Sequence, residues 1–137
     1  MKHSRLIKAT LIVGAVGILL GEAIRGDSAS DRWGLPESLM TKKNPVGQSQ
    51  DSIGAGQKLY MKRCAACHGA TGQGDGPDAA NLGITPARLA DPRLRSQPDG
   101  ALFGRITMGK KPMPAYGMRL SATDRWNLVN YVRTLAK

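Results

Sequence analysis

Aromatic side chains are scarce: Trp33, Tyr60, Phe103, Tyr116, Trp126 and Tyr131 are the only six in 137 residues. Side chains alone therefore supply little of the large apolar area that usually dominates a core. Cysteine is scarcer still, and Cys64 and Cys67 are too few and too close together for a disulfide framework. The histidines are His3 and His68, so a four-ligand zinc site would have to recruit His3 from a segment that reads as removable. Long apolar runs are missing too. The longest charge-free stretch, Ala9 to Gly21, is thirteen residues, about 20 Å as a helix against a hydrocarbon core of roughly 30 Å. Acidic residues number 10 against 20 basic ones, a balance of +10 that speaks to partners and solubility and not to fold. The length allows one domain plus extensions, and no internal repeat is evident.

Lys2, Arg5 and Lys8 precede that apolar stretch, and small residues follow it, which is the order of a secretory signal. Residues 1–23 are expected to be a signal peptide or, if retained, an N-terminal membrane anchor, with residues 6–24 as the route to membrane association. Residues 24–51 are polar and lack helical or strand periodicity, so an extended linker is expected there. The folded domain is expected over 52–137. Glycine (17) and proline (8) are abundant and helix formers cluster, which predicts an all-α domain of three to four short helices joined by long loops. Ser52 is positioned to cap a first helix through Ile53, Leu59 and Tyr60, and Asp99 a second through Leu102, Phe103 and Ile106 that stops at Gly109. Ser121-Ala-Thr-Asp124 reads as a capping box opening an amphipathic helix with Trp126, Leu128, Val129, Tyr131, Val132 and Leu135. Gly69 to Pro77 is too rich in glycine for a helix, and with no Lys-Ser/Thr after it and no strand before it, it lacks the frame of a phosphate-binding loop.

The run Cys64-Ala65-Ala66-Cys67-His68 is the feature with chemistry in it. Its spacing brings two thiols within reach of the two vinyl groups on one edge of a haem and sets an imidazole beside the iron. A redox dithiol would normally open a helix after a strand, whereas here an amphipathic helix leads into the pair.

With Ala55-Gly56-Gln57 and Tyr60 before that run, Gly72-x-Gly74-Asp75-Gly76-Pro77 after it, Met113-Pro114-Ala115-Tyr116, and Trp126-x-Leu128-Val129-x-Tyr131-Val132, the chain resembles the class I c-type cytochromes, especially the mono-haem domains and subunits of bacterial respiratory complexes. The likeness spans about Asn44 to Lys137. It implies the small cytochrome c fold around one covalently bound haem c, with Gly56 and Tyr60 of the first helix crossing Leu128 and Tyr131 of the last. It implies that a proline after the motif, best matched by Pro86, offers its carbonyl to the His68 imidazole, a contact that fixes ring orientation.

His68 fills one axial position of the iron, and the exported part holds no second histidine, so a methionine is the expected partner. Met113, stiffened by Pro112 and Pro114, is favoured over Met108 and Met118, and the family pattern points to the same residue. Haem propionates need donors, and Arg88, Arg105, Tyr116 and Trp126 are unranked candidates for that role. The function read here is a single-electron carrier cycling Fe(III)/Fe(II), as a soluble shuttle or an electron-transfer subunit. The alternative is a haem enzyme or gas sensor with a labile sixth ligand. Expected surroundings are the periplasm or the outer face of the cytoplasmic membrane. Expected partners are acidic redox proteins or a respiratory complex. Nucleic acid is not expected, since no binding motif is present.

Overall fold

The structure, a computed structural model, describes residues 33–137. The expected export segment at 1–23 and the first part of the linker lie outside the described residues. Five α-helices follow in order: α1 (Glu37–Met40), α2 (Gln50–Arg63), α3 (Ala65–His68), α4 (Asp99–Met108) and α5 (Ala122–Leu135). Two 3-10 turns, Ala79–Asn81 and Pro92–Ser96, punctuate the long connection between α3 and α4. Among the described residues no strand forms, and the all-α expectation holds.

The crossing of α2 over α5 organises the domain. Gly56 lies at the crossing, where a Cβ would stand 2.0 Å from the Asn127 carbonyl oxygen and 2.9 Å from Tyr131 Cβ. Only a residue without a side chain lets the two backbones approach so closely. One turn on, Tyr60 is fully buried, its ring 5.2 Å from that of Tyr131. Trp126, Leu128, Val129 and Val132 extend this core toward α4, where Phe103 stacks on Trp126 at 4.0 Å. The crossing thus sets Gly56 and Tyr60 of α2 against Tyr131 of α5, as the family likeness implied.

Side-chain caps open α2 and α5, and two helix starts differ from expectation. Ser121 caps α5 as expected, its Oγ accepting from Asp124 N at 3.0 Å while donating to Asp124 Oδ2 at 2.8 Å. The cap of α2 is Ser49, not Ser52: Ser49 Oγ accepts from Ser52 N at 3.2 Å. Ser52 is buried and donates to Asn127 Oδ1 at 2.8 Å. Asp99 does not cap α4 either. Pro98 holds that place, and the Asp99 carboxylate pairs with Arg133 at 2.6 Å. At the other end α4 stops at Gly109, whose φ of +60° suits glycine and whose missing side chain makes room for the Pro114–Ala115 backbone.

The expected extended linker is corrected for residues 33–49. Leu35 is buried, α1 packs on α4, and Asn44 donates to Asn130 Oδ1 at 2.8 Å. Asn130 in turn donates to Ser52 Oγ at 2.7 Å and to the Val46 and Gly47 carbonyls at 3.3 Å. A buried amide needs partners, and the backbone at 46 and 47 supplies them. This segment belongs to the folded unit.

Candidate haem-binding site

Cys64 ends α2 and opens α3, so the two thiols and the imidazole ride on one short turn of helix. Cys67 N and His68 N both donate to the Cys64 carbonyl, at 3.1 and 2.9 Å. The glycine-rich loop then satisfies the open carbonyls of α3: Gly74 N donates to His68 O at 2.8 Å, Gly76 N to Cys67 O at 3.2 Å and Asp78 N to Ala66 O at 2.8 Å. Tyr60 Oη adds a buried bond to Gly69 O at 2.7 Å. Burial holds that phenol well above its ordinary pKa, so it stays a donor at physiological pH. The loop therefore clamps α3 from one side and α2 from the other.

His68 is half-buried, and its Nδ1 lies 3.0 Å from the Ala87 carbonyl oxygen. The partner expected from the family likeness was the carbonyl of Pro86, one residue earlier. Carbonyls along an extended segment alternate in direction. That of Pro86 faces Gly74, 2.7 Å from where a Cβ would stand there, and that of Ala87 faces the imidazole. Ala90 N, bonded to Gly72 O at 2.9 Å, pins this segment to the loop. An imidazole that donates through Nδ1 presents the lone pair of Nε2, the form that ligates a metal.

Cys64 and Cys67 are unpaired and half-buried. Burial, with Cys67 adding to it, pushes the Cys64 thiol up to about 11. A redox-active dithiol needs a lowered pKa, so the shift runs against that reading. The pair fits covalent attachment instead.

Around the cysteines the other candidates separate. Met113 is half-buried and forms a tight turn with Lys110, each backbone N–H bonding the other's carbonyl at 2.9 and 3.1 Å. Tyr116 N and Gly117 N bond Ile106 O and Thr107 O at 3.0 Å, tying this loop to the end of α4. Tyr116 Oη donates to Arg63 O at 2.9 Å, beside Cys64. Its single proton is committed there, so the phenol ties the Met113 loop to the end of α2. Arg88 is exposed, and Trp126 is buried against Phe103.

Arg105 is different. Its Nη1 bonds Gln97 Oε1, but Nε and Nη2 are buried without a partner. Burial also pulls its pKa below the ordinary arginine value. A buried guanidinium with two open N–H groups is costly unless an anion meets it. A haem brings carboxylates, so the donor set and this open cation together fit the group that the motif calls for.

These features define a haem c-binding helical protein. Consistent with that class, the Cytochrome c family model matches residues 53–136, and the chain belongs to the cytochrome c family. Cytochrome c6 of Alaria esculenta is 32% identical over 82 residues, covering 60% of this chain and 90% of that one. Cytochrome c6 of Gracilaria tenuistipitata var. liui is 30% identical over 80 residues, covering 58% and 69%. Among solved structures, the Kuenenia stuttgartiensis reducing HAO-like protein complex Kustc0457/Kustc0458 contains a similar chain, with TM-score 0.60 and 30% identity over 68% of this chain and 47% of that one. This chain thus spans about half of that neighbour's length. The KustC0563 c-type cytochrome matches with TM-score 0.52 and 27% identity, over 60% of this chain and 98% of that one. The protein is an electron carrier with one covalently bound haem c, and its partners are redox partners.

Proposed function

We propose that this chain works outside the cytoplasm, in the periplasm or at the outer face of the membrane, with His68 and Met113 on its iron and acidic redox partners docking beside the Met113 loop. The observation that carries this reading is the His68–Ala87 bond, which leaves Nε2 as the metal-binding nitrogen next to two free thiols. When bound, haem c supplies a one-electron Fe(III)/Fe(II) couple. The residues do the rest. The Cys64 and Cys67 thiols would hold it covalently by adding across its two vinyl groups, the Ala87 carbonyl would fix the imidazole plane, the Lys110–Met113 turn would present the thioether, and Arg105 would meet a propionate.

The basic run at the N-terminus and the apolar stretch after it support export, and retention of residues 6–24 would add membrane association. Among the described residues no helix is long and apolar enough to cross a membrane. Similarity to a chain of a reducing protein complex supports a role as an electron-transfer subunit alongside that of a soluble shuttle.

Charge supports the choice of partner. The Tyr116–Arg63 bond brings the end of α2, with exposed Lys62 and Arg63, to the loop that carries exposed Lys110 and Lys111. A basic surface there attracts anionic partners at long range, and salt screens that attraction. Oxidation of the ferrous protein by hexacyanoferrate(III) is expected to slow severalfold or more as ionic strength rises from about 0.01 M to 0.15 M, where the Debye length shrinks from roughly 30 to 8 Å. In the Lys62→Glu/Lys111→Glu protein that salt dependence should flatten or reverse. A stopped-flow rate independent of salt in the unmodified protein would remove the acidic-partner proposal.

A further inference from the structure

Residues 33–43 precede the part of the chain that the family model covers, yet they are seated on α4. Gly100 and Gly104 lie four apart, hence on one face of that helix. A Cβ at Gly100 would meet the carbonyl oxygens of Leu39, Met40 and Lys42 at 2.2, 2.6 and 2.7 Å. One at Gly104 would meet both Leu35 methyl groups, at 3.2 and 3.3 Å. The two glycines make a trough in α4, and the backbone of α1 with the buried Leu35 side chain fills it. Pro36 and the Glu37 carbonyl order the segment locally, through bonds from Leu39 N and Thr41 N at 2.9 Å each.

Just before Leu35, the Trp33 ring lies over Arg105, its centroid 5.8 Å from the guanidinium carbon. The indole is half-buried in that place. Arg105 follows Gly104 on α4, so the segment that fills the trough also carries the ring to the guanidinium. A π face holds a cation without consuming its N–H groups, which leaves Nε and Nη2 open. It also keeps water away, and a charge in a drier place acts more strongly on a neighbouring anion.

We propose that residues 33–43 form a strap that shields Arg105 from water, with Trp33 a positioning residue that strengthens the grip of Arg105 on a haem carboxylate and thereby raises the reduction potential. The proposal rests on the assignment of Arg105 to a propionate. A carboxylate well neutralised by Arg105 leaves less negative charge near the iron, and less negative charge favours Fe(II). Water admitted at Trp33 would weaken that neutralisation and favour Fe(III).

Spectroelectrochemical titration of the full-length holoprotein tests this with a cycle of variants. Arg105→Gln should shift the reduction equilibrium about tenfold toward the oxidised form, ~59 mV for one electron. Trp33→Ala should shift it about threefold in the same direction, and in the Arg105→Gln background it should add nothing. Trp33→Phe, which keeps a π face, should restore most of the loss, whereas Trp33→Leu should not. The Phe and Leu pair gives the comparison even if Trp33→Ala fails to assemble. A lowered potential in Arg105→Gln with none in Trp33→Ala or Trp33→Leu would overturn the strap and keep the propionate assignment. Equal shifts from Trp33 in both backgrounds would also overturn it, since the ring would not be acting through Arg105. An unchanged potential in Arg105→Gln would overturn the assignment and the strap together.

Discussion

Cys64→Ala/Cys67→Ala protein, made without haem, should show no sharp thermal transition and little near-UV circular dichroism. The described core is small. Tyr60, Trp126, Leu128 and Val129 are its largest fully buried side chains, and Leu94, Leu102, Phe103, Tyr131 and Val132 complete most of the remainder. Ordinary domains are stable by only about 5–15 kcal/mol, so a side-chain core this small leaves little margin. The long connection from Gly69 to Pro98 contributes little to it, holding two short 3-10 turns and the buried Leu94. Its ordering costs conformational entropy at roughly 1–2 kcal/mol per residue for the backbone alone. A buried macrocycle bonded through two sulfurs, with His68 on its iron, would offset that cost by giving the connection apolar surface to pack on. The α2–α5 crossing at Gly56 should survive as residual helix in far-UV spectra, because its contacts are between side chains and backbone of the chain itself. A cooperative two-state melt of the haem-free variant would show that the side-chain core suffices.

Met113→Ala should abolish the thioether-to-iron absorption and lower the reduction potential by a sizeable part of the roughly 0.8 V that axial ligands span. The direction follows from ligand chemistry: a soft thioether favours Fe(II), so its loss favours Fe(III). Met61, Met108 and Met118 are 50%, 44% and 101% exposed, whereas Met113 is half-buried in a turn closed by two backbone bonds. The turn is further fixed by the Tyr116 bonds to α4 and to Arg63. A ligand held in a rigid loop has little entropy to lose on binding. Met108→Ala should leave both absorption and potential near those of the unmodified protein. If Met108→Ala removes the band and Met113→Ala retains it, the ligand is Met108.

The parts of this protein that sequence made legible are those written locally. Cys64, Cys67 and His68 sit within five residues, so one turn of chain carries the attachment chemistry. The Ser121 capping box and the apolar stripe of α5 are likewise local, as is the stop at Gly109. Other features depend on distant partners. Leu35, Leu39 and Met40 are a few apolar residues in a mostly polar stretch, and a helix of four residues holds only because Gly100 and Gly104 open a trough for it. The four-residue spacing of those glycines was the available signal. Asn127 and Asn130 look like a solvated helix face, yet they are buried because Ser52, Asn44 and the Val46 backbone reach them from elsewhere. The choice between Ser49 and Ser52 as cap turned on which serine α5 would claim. The shift from Pro86 to Ala87 has the same character: the phase of an extended segment is set by how Ala90 and Gly74 anchor it, and residue types alone do not encode it. Arg105 was one of four candidate donors in sequence, and its two open buried N–H groups set it apart from the other three.

Denaturing mass spectrometry of the unmodified holoprotein tests the covalent electron-carrier site most directly. Unfolding in acid breaks axial bonds to iron but leaves thioethers intact, so the chain should appear at its polypeptide mass plus one haem, with none released. Chain at the bare polypeptide mass, together with free haem, would contradict attachment through Cys64 and Cys67.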